Sequence, residues 1–301
     1  MTSSVKKYLS LIKFSHTIFA MPFAFIGFFL GVFKSDSLIN NRAYPPPSFT
    51  SNVYLKLILV ILCMVFARSA AMAFNRWLDA KYDALNPRTS IREIPSGIIK
   101  ENHALTFVIV NCIAFILCTW FINITCFYLS FVALFIILFY SYTKRFTALC
   151  HLVLGIGLSL SPIGAYLAVT GIFDLLPILF SFTVFCWVSG FDIIYALQDE
   201  EFDKQYNLRS IPAALGKKNA LRTSKLLHLL SSAFIIEAGI YGQFHYFFWI
   251  GLACFLSLLI YQHTIVKTKD LSRVNLAFAT TNGIASVVFC IFVLLDLFLI
   301  N

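Results

Sequence analysis

The sequence predicts an all-α protein, a polytopic bundle of about nine helices threaded through a membrane. Three observations carry this. Hydrophobic residues make up 59% of the 301 positions and charged residues only 12%, whereas a soluble domain is about half apolar and about a quarter charged. The mean hydropathy of +0.83 belongs to a chain that lies almost wholly in a bilayer. The apolar residues also fall into runs of about 20, the length a helix needs to cross the hydrocarbon core.

The runs, in order, are Phe14–Phe33, Tyr54–Phe74, Leu105–Ile122, Cys126–Tyr142, Leu149–Ile172, Leu175–Leu197, Leu226–Ile240, Tyr246–Val266 and Leu276–Ile300. Asn123 divides the third from the fourth, and the seventh is the shortest. The first is not a cleaved signal peptide: it is long, lacks a small-residue cleavage site and holds Pro22. With the N-terminus inside, 19 of the 23 basic residues fall on inner segments, and only Lys34, Arg42 and Lys56 on outer ones. That split predicts nine spans with the N-terminus and the long polar loops in the cytoplasm. The net charge of +9 then sits on one face, where Lys6, Lys7, Lys267 and Lys269 meet anionic lipid heads. Nucleic-acid binding has no support, because no basic domain stands outside the membrane. The eight cysteines all lie in or beside apolar runs and form no metal-binding spacing, so they read as small core residues. Pro45-Pro46-Pro47 in the first outer loop reads as a stiff surface turn.

Two inner loops, about 75–102 and 198–225, are long and polar and, with Asp192, hold most of the acidic residues. Asp79 and Asp83 recur as Asp199 and Asp203 at an offset of 120, and Asn86 and Arg88 are loosely echoed by Asn207 and Arg209. Four spans separate the two places, so a parallel internal repeat with one site between its halves is expected. In the first cluster Asn75, Asp79 and Asp83 step by four, which puts three oxygen-bearing side chains on one helix face. In the second, Asp192, Asp199 and Asp203 stand at i, i+7 and i+11, within about 40° of arc. A single acidic stretch at a membrane edge reads as a solvated helix end. Two of them on the same side, each with one-face spacing, suit Mg²⁺ and a diphosphate between them. Arg88, Arg92, Lys144, Arg145, Lys204 and Arg209 lie nearby on the sequence and suit phosphate oxygens, although positive-inside topology accounts for any one of them. Tyr140 shares a helix face with Lys144. Arg68, inside a span and on the stripe of Asn75, would be costly facing lipid. It is expected to face the site, where it would neutralise the acids or bind a substrate carboxylate or diphosphate.

Asn75-x-x-x-Asp79-x-x-x-Asp83, followed by Asn86-Pro87-Arg88-Thr89 and Arg92-x-x-Pro95, resembles the first signature of the UbiA superfamily of membrane prenyltransferases. Asp192-x-x-Tyr195-Ala196-x-x-Asp199-x-x-x-Asp203 resembles the second, and Tyr140-x-x-x-Lys144 a further motif. Within the superfamily the chain is most similar to the 4-hydroxybenzoate polyprenyltransferase branch. Its opening, Lys13 to Pro22, is similar to a bacterial subgroup associated with the futalosine route to menaquinone, with 1,4-dihydroxy-6-naphthoate as acceptor. Many relatives carry an Arg in that opening, where this chain has Lys13 and His16.

The resemblance implies one domain over residues 1–301, with two four-helix halves around a central cavity. It implies that Asn75, Asp79, Asp83, Asp199 and Asp203 bind Mg²⁺ and diphosphate, and that Lys144 and Arg88 hold the diphosphate. Tyr195 belongs to the same motif, and Asp192 would reach metal water or the acceptor. The partners implied are a polyprenyl diphosphate, an aromatic acid and membrane lipid. A CDP-alcohol phosphotransferase is disfavoured because its Asp-Gly and Ala-Arg pattern is missing. A cation-coupled transporter is disfavoured because its acids would spread across mid-membrane.

Overall fold

The computed structural model of the chain describes residues 3–12, 20–40 and 51–300. Lys13, His16 and the proline triplet at 45–47 lie outside the described residues, as does Arg42. The helices are α1 (Ser3–Leu11), α2 (Met21–Asn40), α3 (Ser51–Leu78), α4 (Ala80–Leu85), α5 (Glu101–Ile122) and α6 (Ile124–Thr143). They continue with α7 (Cys150–Thr170), α8 (Leu175–Ala196), α9 (Glu200–Gln205), α10 (Ile211–Tyr241), α11 (Tyr246–Ile265) and α12 (Asn282–Leu299). A 3₁₀ turn, Leu197–Asp199, links α8 to α9, and a π-helical segment, Leu276–Thr281, leads into α12.

The described part of each predicted apolar run lies on a long helix. Among the described residues, seven helices are apolar and long enough to cross a membrane, and α2 holds a shorter apolar stretch, Met21–Ser35. The seventh run, Leu226–Ile240, is the distal part of α10, which is kinked at Gly216 and carries a polar stretch between the kink and the run. The described part of the first run forms a helix from Met21, with Pro22 in its first turn, where the missing N–H costs nothing. Asn123 divides α5 from α6 as expected: it ends one helix and caps the next, its side chain accepting from Cys126 N–H at 2.8 Å. Its amide also donates to the Leu167 carbonyl at 2.8 Å, pinning this corner to α7.

All backbone polar groups inside a bilayer must be satisfied internally, which helices do. What then sets their neighbours is how closely backbones approach. A Cβ on Gly27 would stand 2.0 Å from the Pro162 carbonyl, so α2 lies against α7. A Cβ on Gly155 would meet Ser189 Oγ at 2.2 Å, and one on Gly190 would meet the His228 ring at 2.3 Å. These contacts lock α7 on α8 and α8 on α10. One aromatic core, centred on Trp187, Phe23, Phe255 and Phe289, joins α2 and α8 to α11 and α12. A second joins α2, α3, α5, α6 and α7. Helices α2 and α7 belong to both.

The repeat is plainer in the backbone than in the sequence. Asp79 has φ −94° and ψ 9°, Asp199 has φ −104° and ψ 5°, and each precedes a six-residue helix. The Asn86 N–H bonds the Tyr82 carbonyl at 3.1 Å, and 120 residues on, Tyr206 N–H bonds the Phe202 carbonyl at 3.0 Å. Ile94-Pro95 precedes Gly97 at φ 75°, and Ile211-Pro212 precedes Gly216 at φ 74°. Positive φ there is reached without strain only by a residue lacking Cβ.

Candidate active site

The first acidic row runs off the end of α3. The helix bends at Asp79, yet its hydrogen bonds persist: Asp79 N–H donates to the Asn75 carbonyl at 2.9 Å, and Asp83 N–H to the Asp79 carbonyl at 2.8 Å. Asn75, Asp79 and Asp83 therefore keep their shared face, and Asn75 Nδ2 donates to Asp79 Oδ2 at 3.1 Å. The second row follows α8 through the 3₁₀ turn into α9 and carries Asp192, Asp199 and Asp203. Asp83 and Asp203 are buried.

Basic residues stitch the two rows together. Arg88, in the loop after the first row, forks onto Asp199 of the second: Nε donates to Oδ1 at 3.0 Å and Nη2 to Oδ2. Its Nη1 donates to the Tyr195 hydroxyl at 3.0 Å, and the Asn86 amide adds a bond to Asp199 Oδ1 at 3.2 Å. Lys144, at the end of α6, reaches Asp203 at 2.7 Å, and Arg145 reaches Asp79 at 3.4 Å. So one short loop touches both rows. Arg92 Nη1 spans both oxygens of Asp83, at 2.7 and 2.8 Å. The rows thus share one end of the bundle and face one another.

Electrostatics follow from this pairing. Burial pushes the Asp79 carboxyl above the usual carboxylate range, and neighbouring Asp83 adds to the rise, with Arg145 opposing it. Burial pulls against the charge on Lys144, but Asp203 beside it outweighs that and lifts Lys144 above its ordinary value. The same contest lifts Arg88, with Asp199 winning over burial. Among the described residues no three His, Cys, Asp or Glu side chains come together as a metal site. Like charges repel, and each of the four row-end acids has found a cation instead. The donors are nonetheless all oxygen, at the edge of a bilayer, which suits a hard divalent ion.

Beyond the rows, toward the middle of the bundle, α3, α5, α6 and α7 line a partly open cavity of about 300 Å³. Its walls are apolar apart from a few groups, chiefly Arg68, Tyr140, Ser161, Thr119 and Ser130. Arg68 Nε and Ser161 Oγ are buried in it with no hydrogen-bond partner among the described residues. Tyr140 stands at the junction, within electrostatic reach of Asp79, Asp192 and Arg68.

Known proteins share this fold. The profile of the UbiA prenyltransferase family matches residues 17–292. The chain belongs to that family. A 4-hydroxybenzoate octaprenyltransferase of Francisella tularensis subsp. mediasiatica is 29% identical over 241 residues, which cover 79% of this chain and 84% of the relative. The apo structure of a UbiA homolog from Aeropyrum pernix K1 superposes with a TM-score of 0.80 at 29% identity, over 93% of this chain and 98% of that one. A UbiA homolog from Archaeoglobus fulgidus bound to GPP and Mg²⁺ has the same fold, with a TM-score of 0.70 at 20% identity over 97% and 99% of the two chains.

In this UbiA-family chain, the structure gathers most of the residues singled out from sequence: Asn75, Asp79, Asp83, Arg88, Arg92, Lys144, Arg145, Tyr195, Asp199 and Asp203 form one charged cluster. Arg68 and Tyr140 line the cavity. Two residues are otherwise engaged. Lys204 turns to Glu200, four residues back, at 2.6 Å. Arg209 donates to the Phe146 carbonyl at 2.7 Å, and its N–H to the Lys144 carbonyl at 2.7 Å, so it braces the loop that carries Lys144. Sequence reasoning missed Asn86 as a direct partner of Asp199, Ser210, which donates to Asp203 at 2.7 Å, and His151, which pairs with Asp192 at 2.7 Å. It also missed Arg76, buried near Asp83 and Glu93. Asn86 and Ser210 stand seven residues after Asp79 and Asp203 but past the ends of α4 and α9, His151 is on another helix, and Arg76 is one residue off the stripe of Asn75, so helical periodicity does not single them out.

Proposed function

We propose that this protein transfers a polyprenyl group from an allylic polyprenyl diphosphate to an aromatic acid, 4-hydroxybenzoate, at the carbon ortho to its hydroxyl, in respiratory quinone synthesis. One observation carries the reading: two acidic rows and their cations share one end of the bundle, directly beside an apolar cavity. A diphosphate head suits the first and an isoprenoid the second. Each acid–cation pair is a place where a metal diphosphate fits by exchange, the carboxylate taking the metal and the freed Arg or Lys taking phosphate oxygens. Asn75, Asp79, Asp83, Asp199 and Asp203 would hold Mg²⁺, whose charge supplies the neutralisation that lets the allylic C–O bond ionise.

Arg88, Arg92, Lys144 and Arg145 clamp the diphosphate. The cavity walls exclude water from the allyl cation. Arg68 and Ser161, with unsatisfied polar atoms in an otherwise greasy space, take the carboxylate of the acceptor. The acidic end faces the cytoplasm, as the 19-to-3 distribution of basic residues supports.

The test is direct. Membranes holding the protein are incubated with a polyprenyl diphosphate, Mg²⁺ and either 4-hydroxybenzoate or 1,4-dihydroxy-6-naphthoate, and the lipid extract is read by mass spectrometry. Prenylated 4-hydroxybenzoate is the expected product. Prenylated naphthoate alone would move the acceptor assignment, and the absence of both with intact protein would sink the reading.

A further inference from the structure

Asp192 lies on α8, two turns into the bundle from Asp199, and His151 lies in the first turn of α7. His151 Nδ1 stands 2.7 Å from Asp192 Oδ2, and the imidazole is only 3% exposed. Its other nitrogen, Nε2, is buried with no hydrogen-bond partner among the described residues. A buried histidine kept for structure is expected to satisfy both nitrogens. This one spends its Nδ1 on a carboxylate. With Nδ1–H donating, the imidazole is fixed in one tautomer and holds Oδ2. Oδ1 is left without a hydrogen-bond partner among the described residues, on a side chain still 21% exposed.

The level of Asp192 matters as much as its partner. Asp192 stands seven residues before Asp199, and Arg68 eleven before Asp79. The ends of the two rows are tied across by Arg88 and the Lys144–Arg145 loop. Arg68 is therefore four residues deeper than Asp192, about 6 Å along a helix axis. A para-hydroxy acid anchored by its carboxylate at Arg68 places its hydroxyl end, and the ring carbon beside it, at the level of Asp192. Tyr140, which lines the cavity, lies within electrostatic reach of both residues.

We propose that Asp192 takes the proton released from the ring, and that His151 is the positioning residue that keeps Asp192 aimed and free to do so. This rests on the aromatic-acid reading above. In the step, the allylic C–O bond breaks and diphosphate leaves with its electron pair. A ring π pair then forms the new C–C bond at the carbon ortho to the hydroxyl. The C–H bond at that carbon breaks, its electron pair restores the aromatic ring, and the proton passes to Asp192 Oδ1. The hydrogen bond from His151 to Oδ2 is kept throughout.

The experiment compares 4-hydroxybenzoate with the same acid deuterated at both positions ortho to the hydroxyl. Wild type is expected to use the two equally, ionisation of the donor being slow. Asp192→Asn is expected to lose about 10²-fold in kcat with the donor KM unchanged, and to show a primary isotope effect. His151→Leu should follow in the same direction. His151→Asn, whose amide still donates to Oδ2, should recover about tenfold over His151→Leu. Melting in detergent checks that each variant is folded. Loss of activity without an isotope effect in folded variants overturns the proton role, as does a His151→Leu protein that melts lower but turns over normally. If wild type prenylates no para-hydroxy acid, the acceptor reading has failed and the proton role falls with it. Product from wild type without isotope effects in the variants overturns the proton role alone.

Discussion

At the scale of single residues, the site is a set of charges each held by one opposite charge. Asp79 and Asp199 occupy matched places in the two rows, and each meets a different arginine, Arg145 and Arg88. Replacing either acid by Ala removes a metal oxygen and leaves its arginine unbalanced. Asp79→Ala and Asp199→Ala are each expected to cut turnover by about 10²–10³-fold, a few kcal/mol of metal-assisted ionisation, while the protein still inserts into membranes. Activity near wild type in both, assayed by diphosphate release with and without Mg²⁺, would refute the metal assignment. Arg68 belongs to a different step. Its Nε is buried in the cavity wall without a hydrogen-bond partner among the described residues, so its proposed partner is the acceptor. Arg68→Leu should raise the acceptor KM by about 10- to 100-fold, the worth of a charged hydrogen bond, and leave the donor KM nearly unchanged. A rise confined to the donor KM would instead place the diphosphate at Arg68.

At the scale of helices, spacing between backbones decides what the side chains can do. Gly155 lies one turn after His151 on α7, and Ser189 lies three residues before Asp192 on α8. Their close approach, with a Cβ on Gly155 falling 2.2 Å from Ser189 Oγ and 2.7 Å from the Phe185 carbonyl, sets the gap that the His151–Asp192 pair spans. Gly155→Val must push α7 off α8. It is expected to cost about 1–3 kcal/mol of overpacking, seen as a lower melting temperature in detergent, and to lower kcat beyond what the unfolded fraction explains. An unchanged melting temperature would mean that the helices are not in contact there. This contact also marks what the sequence leaves unreadable. The helices were legible because a bilayer demands long apolar runs, and Asn75, Asp79 and Asp83 were legible because i, i+4 spacing forces one face. The bend at Asp79 was invisible, since it keeps the helical hydrogen bonds on either side. His151 and Ser161 were invisible for another reason: their roles come from packing between helices, which no local pattern encodes. Lys204 pairs with Glu200, one turn back, because proximity in sequence to an acidic row does not decide between two acids.

At the scale of the whole molecule, the chain is polarised along the bundle axis. The charged cluster occupies one end, while Lys34 pairs with Asp174 and Lys56 donates to the Val169 carbonyl near the other. Among the described residues Lys81, Lys144, Lys218 and Lys269 lie on the segments at the cluster's end, and a surface rich in Lys and Arg is expected on the cytoplasmic side. A membrane-impermeant maleimide tests this in intact cells. The eight native cysteines are free and buried or half-buried among apolar helices, so an introduced thiol dominates the signal. Ile172→Cys and Tyr246→Cys replace exposed residues at the far end and should label at once. Lys218→Cys and Lys269→Cys, exposed at the cluster's end, should label only after the membrane is broken. The reverse pattern would put the diphosphate site outside, away from any soluble pool of aromatic acid and Mg²⁺. That result would force a different function on the same fold, because the geometry of the rows says where a diphosphate fits but the labelling says which compartment can deliver it.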